Sequence, residues 1–338
     1  MIAADATIGA MLRTMRPFFL ALMCSWTALF VVALIYSNEH PHSHWIMRAA
    51  LPAFLIEAVF YVASVFEETR ASLRKINSRM IEATILWASA LVPFFVFSFG
   101  TATFHLNALV LLALLCGVLA YWHVLLPRRA AFDFGFLVIA AAPVVLRVFS
   151  RIYLSPDGHT RTDILGHLTW IRLGIAALLV LREWQPGAFG FWPRVHEWKI
   201  GVIYFLLVLV PLCVLGIELR TVEFAPIHGD WWRVTGVAAG YFLGALWVIA
   251  LSEELFFRGV IERALLNQWR SPVTAILLSA ILFGAAHLWF RRFPNWNHAF
   301  LAAILGIGCG LAYVRTGSVR SSMVTHACVV TIWRVLFR

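Results

Sequence analysis

Eight consecutive residues, Ser252-Glu253-Glu254-Leu255-Phe256-Phe257-Arg258-Gly259, set two adjacent carboxylates and a guanidinium after an apolar run. Charge in such a segment is costly and marks a site. On a helix, Glu254 and Arg258 lie four apart on one face, with Glu leading, the favourable order for an ion pair. Glu253 points about 100° away, because a helix turns once in ~3.6 residues. It therefore lacks Arg258 as a partner, and a poorly solvated carboxylate of that kind suits a general base. Two histidines follow on later apolar runs. His287 ends Phe283-Gly284-Ala285-Ala286-His287, and His326 sits in Thr325-His326-Ala327. One Glu with two His can activate a water, directly or through a bound divalent cation. Taken singly, each group has a plainer role, as an interfacial acid at a helix end or a packing histidine. The string His196-Glu197-Trp198-Lys199-Ile200 lacks the second His of a zincin motif.

The order Glu-Glu-x-x-x-Arg, then Phe-x-x-x-His, then a last His resembles the CPBP intramembrane proteases. That family includes the type II CAAX prenyl endopeptidases and the bacterial Abi-type proteins. The resemblance covers roughly residues 240–335 and takes in Gly306 to Gly310 before Tyr313-Val314-Arg315-Thr316-Gly317-Ser318. It implies hydrolysis of a peptide bond in a membrane-associated protein or peptide. Glu253 would activate water, Glu254 and Arg258 would form a supporting pair, and His287 and His326 would complete the site. It also implies a glutamate mechanism without a cofactor; a divalent metal held by Glu253, His287 and His326 is the alternative that the residues leave open. The family's last motif is His-x-x-x-Asn, with the Asn steadying the oxyanion. Here that position is Val330, which donates no hydrogen bond. Such a donor is worth about 3–4 kcal/mol. Ser322 and Thr331 are the candidate replacements, and loss of activity is the other expectation.

The elements that must hold these residues are set by composition. Of 338 residues, 62% are apolar and only 13% charged, against about 45–50% and 25% in soluble domains. That excludes disorder and an ordinary water-soluble fold. A bilayer core of roughly 30 Å takes about 20 apolar residues per helix. Such runs fall at about 17–36, 46–66, 83–100, 104–126, 131–149, 163–181, 200–217, 234–252, 272–290, 297–314 and 320–337. The expectation is an all-α, polytopic transmembrane helical bundle of about 11 membrane helices in a cell membrane, by the resemblance a bacterial inner membrane. Residues 1–230 are N-terminal membrane helices without an assigned role, and residues 231–338 are the protease-like core. Span 163–181 is the weakest, because Arg172 sits in its middle.

The net charge of +10 sits in short loops between apolar runs, as membrane orientation demands. It therefore predicts no nucleic-acid partner, and the bias favours a cytoplasmic N-terminus. The expected partners are the lipid bilayer and a membrane-associated substrate, and nothing specifies an oligomeric state. The five cysteines are odd in number and lie in apolar runs, without a disulfide or zinc pattern.

Two other classes compete with a protease. A non-catalytic membrane scaffold or immunity protein of the same fold would tolerate Val330. A proton-coupled transporter also uses intramembrane Glu, Arg and His, but normally shows repeated halves, and none is found. Glu57 and Arg147 could pair across helices or snorkel. Gly236, Gly240 and Gly244, like Gly306 and Gly310, have the spacing of close helix packing. His40, His42 and His44 alternate in a short loop, more suggestive of a solvated loop than of a metal site.

Overall fold

A computed structural model describes residues 2–40, 44–269 and 271–337, with side chains from residue 15 onward apart from Glu39. His42 lies outside the described residues. The described chain forms thirteen helices and no strand, an all-α polytopic bundle. Among the described residues, nine helices are long and apolar enough to cross a bilayer. The other two expected runs are also helical. Ala130–Val145 has 16 residues, about 24 Å at 1.5 Å per residue and short of the hydrocarbon core. Val319–Leu336 carries Ser, Thr, Arg and His along its length. The chain divides into two compact units, Met1–Trp184 and Gln185–Arg338.

The first unit holds α1 (Ile2–Glu39), α2 (His44–Val65), α3 (Glu67–Arg74), α4 (Arg79–Gly100), α5 (Leu106–Leu125), α6 (Ala130–Val145), α7 (Phe149–Ile152) and α8 (Asp163–Ala176), which runs on as a π-helical turn to Leu181. Arg172, the residue that weakened the α8 reading, is neutralised from α2. Its Nε donates to Glu57 Oε1 at 2.7 Å, and Thr169 Oγ1 donates to Glu57 Oε2 at 3.0 Å. The remaining nitrogens donate to the hydroxyl and carbonyl of Ser89 on α4, both at 2.9 Å. Glu57 thus pairs with Arg172, whereas Arg147 is exposed. Both members of the pair are fully buried, so desolvation roughly offsets their attraction. The network's larger effect is to fix α2, α4 and α8 in register.

The second unit holds α9 (Val195–Glu218), α10 (Trp231–Trp269), α11 (Pro272–Ala286), α12 (Trp296–Thr316) and α13 (Val319–Leu336). Helix α9 has no polar face; its two sides differ in size instead. Leu206, Leu207, Val210 and Val214 are exposed, as lipid-facing residues should be, while Gly201, Val208, Leu212 and Gly216 are buried. A Cβ at Gly201 would meet Val324 at 2.6 Å, and one at Gly216 would meet Trp333 at 2.9 Å. These two glycines let α9 lie directly on α13, the small-residue route to membrane helix packing. Gly306 does the same for α12 against Ala280 of α11. A Cβ at Gly236, Gly240 or Gly244 would meet nothing within 4 Å, so no close approach among the described residues requires glycine there.

Side chains cap several helices of this unit. Asp230, Ser271, Asn295 and Ser318 each accept a backbone N–H at the start of α10, α11, α12 and α13. These starts fix where Glu253, His287 and His326 fall along their helices.

Candidate active site

Helix α10 is not uniformly α. π-helical stretches at Ala245–Ala250 and Leu255–Glu262 flank Ser252-Glu253-Glu254. Such widened turns cluster at functional sites because they re-aim side chains within a continuous helix. The two carboxylates lie in the α-helical stretch between them and, as neighbours on a helix, point different ways. Glu254 is fully buried, and its Oε1 accepts from Arg258 Nη1 at 3.1 Å. Arg258, also fully buried, donates from Nη2 to the Gly306 carbonyl at 2.8 Å, and its guanidinium lies 4.8 Å from the Phe283 ring centroid. Its Nε stands 3.9 Å from Glu262 Oε2. Glu254, Arg258 and Glu262 therefore form one buried ladder along α10. Glu262 was not among the sequence candidates, although its position four residues beyond Arg258 was the signal.

Glu253 keeps a side chain one-third exposed. Its Oε2 has no hydrogen-bond partner among the described residues. It stands 4.0 Å from His287 Nε2 and 4.0 Å from His326 Nε2. Each histidine is held through its other nitrogen. His287 Nδ1 lies 2.8 Å from the Phe283 carbonyl, which can only accept, so Nδ1 carries the proton. His326 Nδ1 lies 2.7 Å from Glu254 Oε1, the oxygen that also accepts from Arg258. Phe283 completes the packing, edge-on to His326 with ring centroids 5.7 Å apart and tilted against His287 at 4.6 Å.

All five sequence candidates, Glu253, Glu254, Arg258, His287 and His326, thus meet in one place. They come from α10, the turn that ends α11, and the middle of α13. Glu253, His287 and His326 line a cavity of about 350 Å³. The exposed residues of its lining are Ile249, Arg291 and Arg334. Its wall is largely apolar, with Leu212, Leu305, Val329 and Val330 among its residues.

Residues 235–332 match the family model described as type II CAAX prenyl endopeptidase Rce1-like. That segment is similar to the CPBP/CAAX protease family. The match covers under a third of the chain but includes Glu253, Glu254, Arg258, His287 and His326. No curated protein and no solved structure matches the chain.

Against the family's motifs, Val330 is on the cavity wall, one turn from His326. Neither candidate replacement joins it there. Ser322 Oγ donates to the Val319 carbonyl and Thr331 Oγ1 to the Ala327 carbonyl; neither residue lines the cavity. Asn295 does line it, but its amide donates to the Phe290 carbonyl and its oxygen caps α12. Glu254, Cys309 and His326 offer ligand-type atoms within 4.8 Å of one another. Those of Glu254 and His326 face each other in a hydrogen bond, and Cys309 Sγ faces the Ser322 carbonyl. Arg291, His298 and Arg334 line the same cavity and were not expected there from sequence. Only their positions at helix ends, close in sequence to His287 and His326, signalled it.

Proposed function

We propose that the protein is an intramembrane endopeptidase in which Glu253 activates the hydrolytic water. The observation that carries this reading is the Glu253 carboxylate oxygen, unpartnered among the described residues and equidistant from two imidazole nitrogens. An oxygen and two nitrogens 4.0 Å apart frame one water at ~2.8 Å from each, an angle of about 91° at the water. A zinc ion at ~2.1 Å would need about 144°, far from the ~109° of a tetrahedral site. The spacing supports a glutamate mechanism without a metal.

The Glu253 oxygen takes a proton as the water oxygen bonds to the scissile carbonyl carbon. The tetrahedral species then breaks its C–N bond, and the proton on Glu253 passes to the departing nitrogen. The two histidines have a fixed proton inventory. With Nδ1–H engaged on both, a neutral ring offers Nε2 only as an acceptor. Three acceptors then face one water, which has two hydrogens. Protonation of one imidazole removes that conflict and gives the developing oxyanion a donor, the role that electrostatic preorganisation fills in acyl transfer. Glu254 and Arg258 act as positioning residues through His326 Nδ1.

The substrate is a membrane-associated peptide or protein, and the setting is a cell membrane, by the resemblance a bacterial inner membrane. Purified protein is tested for peptide cleavage against Glu253→Ala, His287→Ala and His326→Ala. Loss of cleavage in all three is expected; unchanged cleavage in all three ends the reading.

Val330 favours a second reading, a non-catalytic scaffold or immunity protein of the same fold. A wild-type cellular phenotype that survives Glu253→Gln selects the scaffold.

A further inference from the structure

Three imidazoles line the cavity beside Glu253: His287, His326 and His298. The first two have their Nδ1–H engaged, on the Phe283 carbonyl for His287 and on Glu254 Oε1 for His326. His298 differs. Its backbone N–H donates to Asn295 Oδ1 at 3.2 Å, but neither ring nitrogen makes a hydrogen bond or ion pair with any described residue. The ring is held in place by packing instead. It stacks on Phe290, with centroids 4.1 Å apart and planes 13° from parallel, and its centroid lies 5.8 Å from that of His287. It belongs to the first turn of α12, whose start Asn295 fixes. Half-buried polar groups normally find a partner. A ring that packing positions on a cavity wall, with its N–H unspent, is suited to contact with whatever occupies that cavity.

Peptide hydrolysis needs a donor there. As the water oxygen bonds to the scissile carbon, the carbonyl π pair moves onto its oxygen, and that oxyanion must be met by a preorganised hydrogen bond. Val330, one turn from His326 on the cavity wall, offers none. A neutral imidazole carries one N–H in either tautomer, so His298 can donate without taking up a proton. With ring centroids 5.8 Å apart and ~2.8 Å per hydrogen bond, one carbonyl group bridges from the water at His287 to an N–H on His298. We propose that His298 is a further catalytic residue, which donates its free N–H to the oxyanion of the tetrahedral species. This rests on the protease reading of the same site and adds a residue to it. His298 keeps its proton throughout; Glu253 still takes the proton of the water and passes it to the departing nitrogen. A second donor placed at position 330 would add to this one, because an oxyanion accepts more than one hydrogen bond.

The experiment uses the full-length protein in detergent, with fluorescein-labelled casein as a generic unfolded substrate, Glu253→Ala as the blank, and rates expressed per folded protein from melting curves. His298→Phe keeps a ring against Phe290 but has no donor. It should lower kcat by about 10²–10³, the usual loss for one oxyanion donor, with KM within about twofold and the melting temperature nearly unchanged. His298→Asn and His298→Gln each return a side-chain N–H, at the reach of one or the other ring nitrogen. At least one of them should recover most of the lost kcat, which a packing role alone would not produce. Wild-type kcat in His298→Phe, a loss confined to KM, or Asn and Gln variants as slow as His298→Phe overturns the inference. Cleavage that Glu253→Ala abolishes and His298→Phe retains removes His298 from the mechanism and leaves the protease reading standing. Wild-type cleavage no faster than the Glu253→Ala blank removes both.

Discussion

His326 Nδ1 lies 2.7 Å from Glu254 Oε1, in a contact where the carboxylate is wholly buried and the imidazole nearly so. The second glutamate of the pair is thereby tied to the last histidine of the site, 72 residues further on. Glu253 and Glu254 are neighbours in sequence with opposite surroundings. One is unpartnered and faces a cavity; the other is enclosed by Arg258 and His326.

That contrast separates two variants. Glu253→Gln should cut cleavage by about 10²–10⁴, the usual worth of a positioned base, with thermal stability in detergent nearly unchanged. Glu254→Gln should lower both, because it leaves a buried guanidinium without its nearest carboxylate, a loss of about 3–5 kcal/mol in comparable buried pairs. Melting curves and initial rates on the same preparations check it. Equal destabilisation by the two variants would contradict the geometry.

Val330 occupies cavity wall one turn from His326. Val330→Asn should raise the cleavage rate, by about tenfold or more if the amide reaches the oxyanion. The comparison is of initial rates with wild type, corrected for folded fraction. A drop in rate at unchanged stability would mean that another donor already fills that place.

In the first unit, Arg172→Leu or Glu57→Met alone should destabilise by about 3–5 kcal/mol, since each strands a buried charge. The double variant should recover most of that loss. A thermal-melt double-mutant cycle measures it, and additive losses would show that Ser89 and Thr169 satisfy each partner independently.

Exposed charge at the loop ends gives a pH effect with a definite sign. Glu183 is raised by burial but more strongly lowered by hydrogen bonds and charge from Arg128 and Arg79, so its carboxyl lies below the usual value when folded. A group depressed on folding contributes stability above its unfolded pKa and loses it as pH falls through the folded one. Glu183→Gln should therefore make acid unfolding less steep below about pH 4.5, as followed by melting temperature against pH.

Much of this was legible in the chain because membranes make ionisable residues conspicuous. Glu253, Glu254, Arg258, His287 and His326 stood out as the polar members of greasy runs, and all five converge. The nine bilayer-length helices were readable from run length alone. What the runs hid was pairing. Arg172 looked like a flaw in a span, and Glu57 like a partner for Arg147, because one-dimensional hydropathy carries no information on which helices touch. Glu262 was passed over because it falls in a stretch that reads as polar and interfacial, though it is fully buried. The glycines at 236, 240 and 244 misled in the other direction, since spacing alone does not say whether a partner is present. Arg291 and Arg334 stand at the ends of separate helices, and only the cavity gave them a shared address.

The widened turns on either side of Ser252-Glu253-Glu254 have a consequence for the helix as a whole. A π turn amounts to one residue slipped into an α-helix, so each stretch offsets the angular phase of everything beyond it. The membrane-facing stripe of Trp231–Gly244 and the buried ladder from Glu254 to Glu262 are therefore out of step by design of the backbone. Deleting one residue from Ala245–Ala250 would rewind that turn to α and swing the upstream half by about 100°, away from α13, while the carboxylates stay where they are.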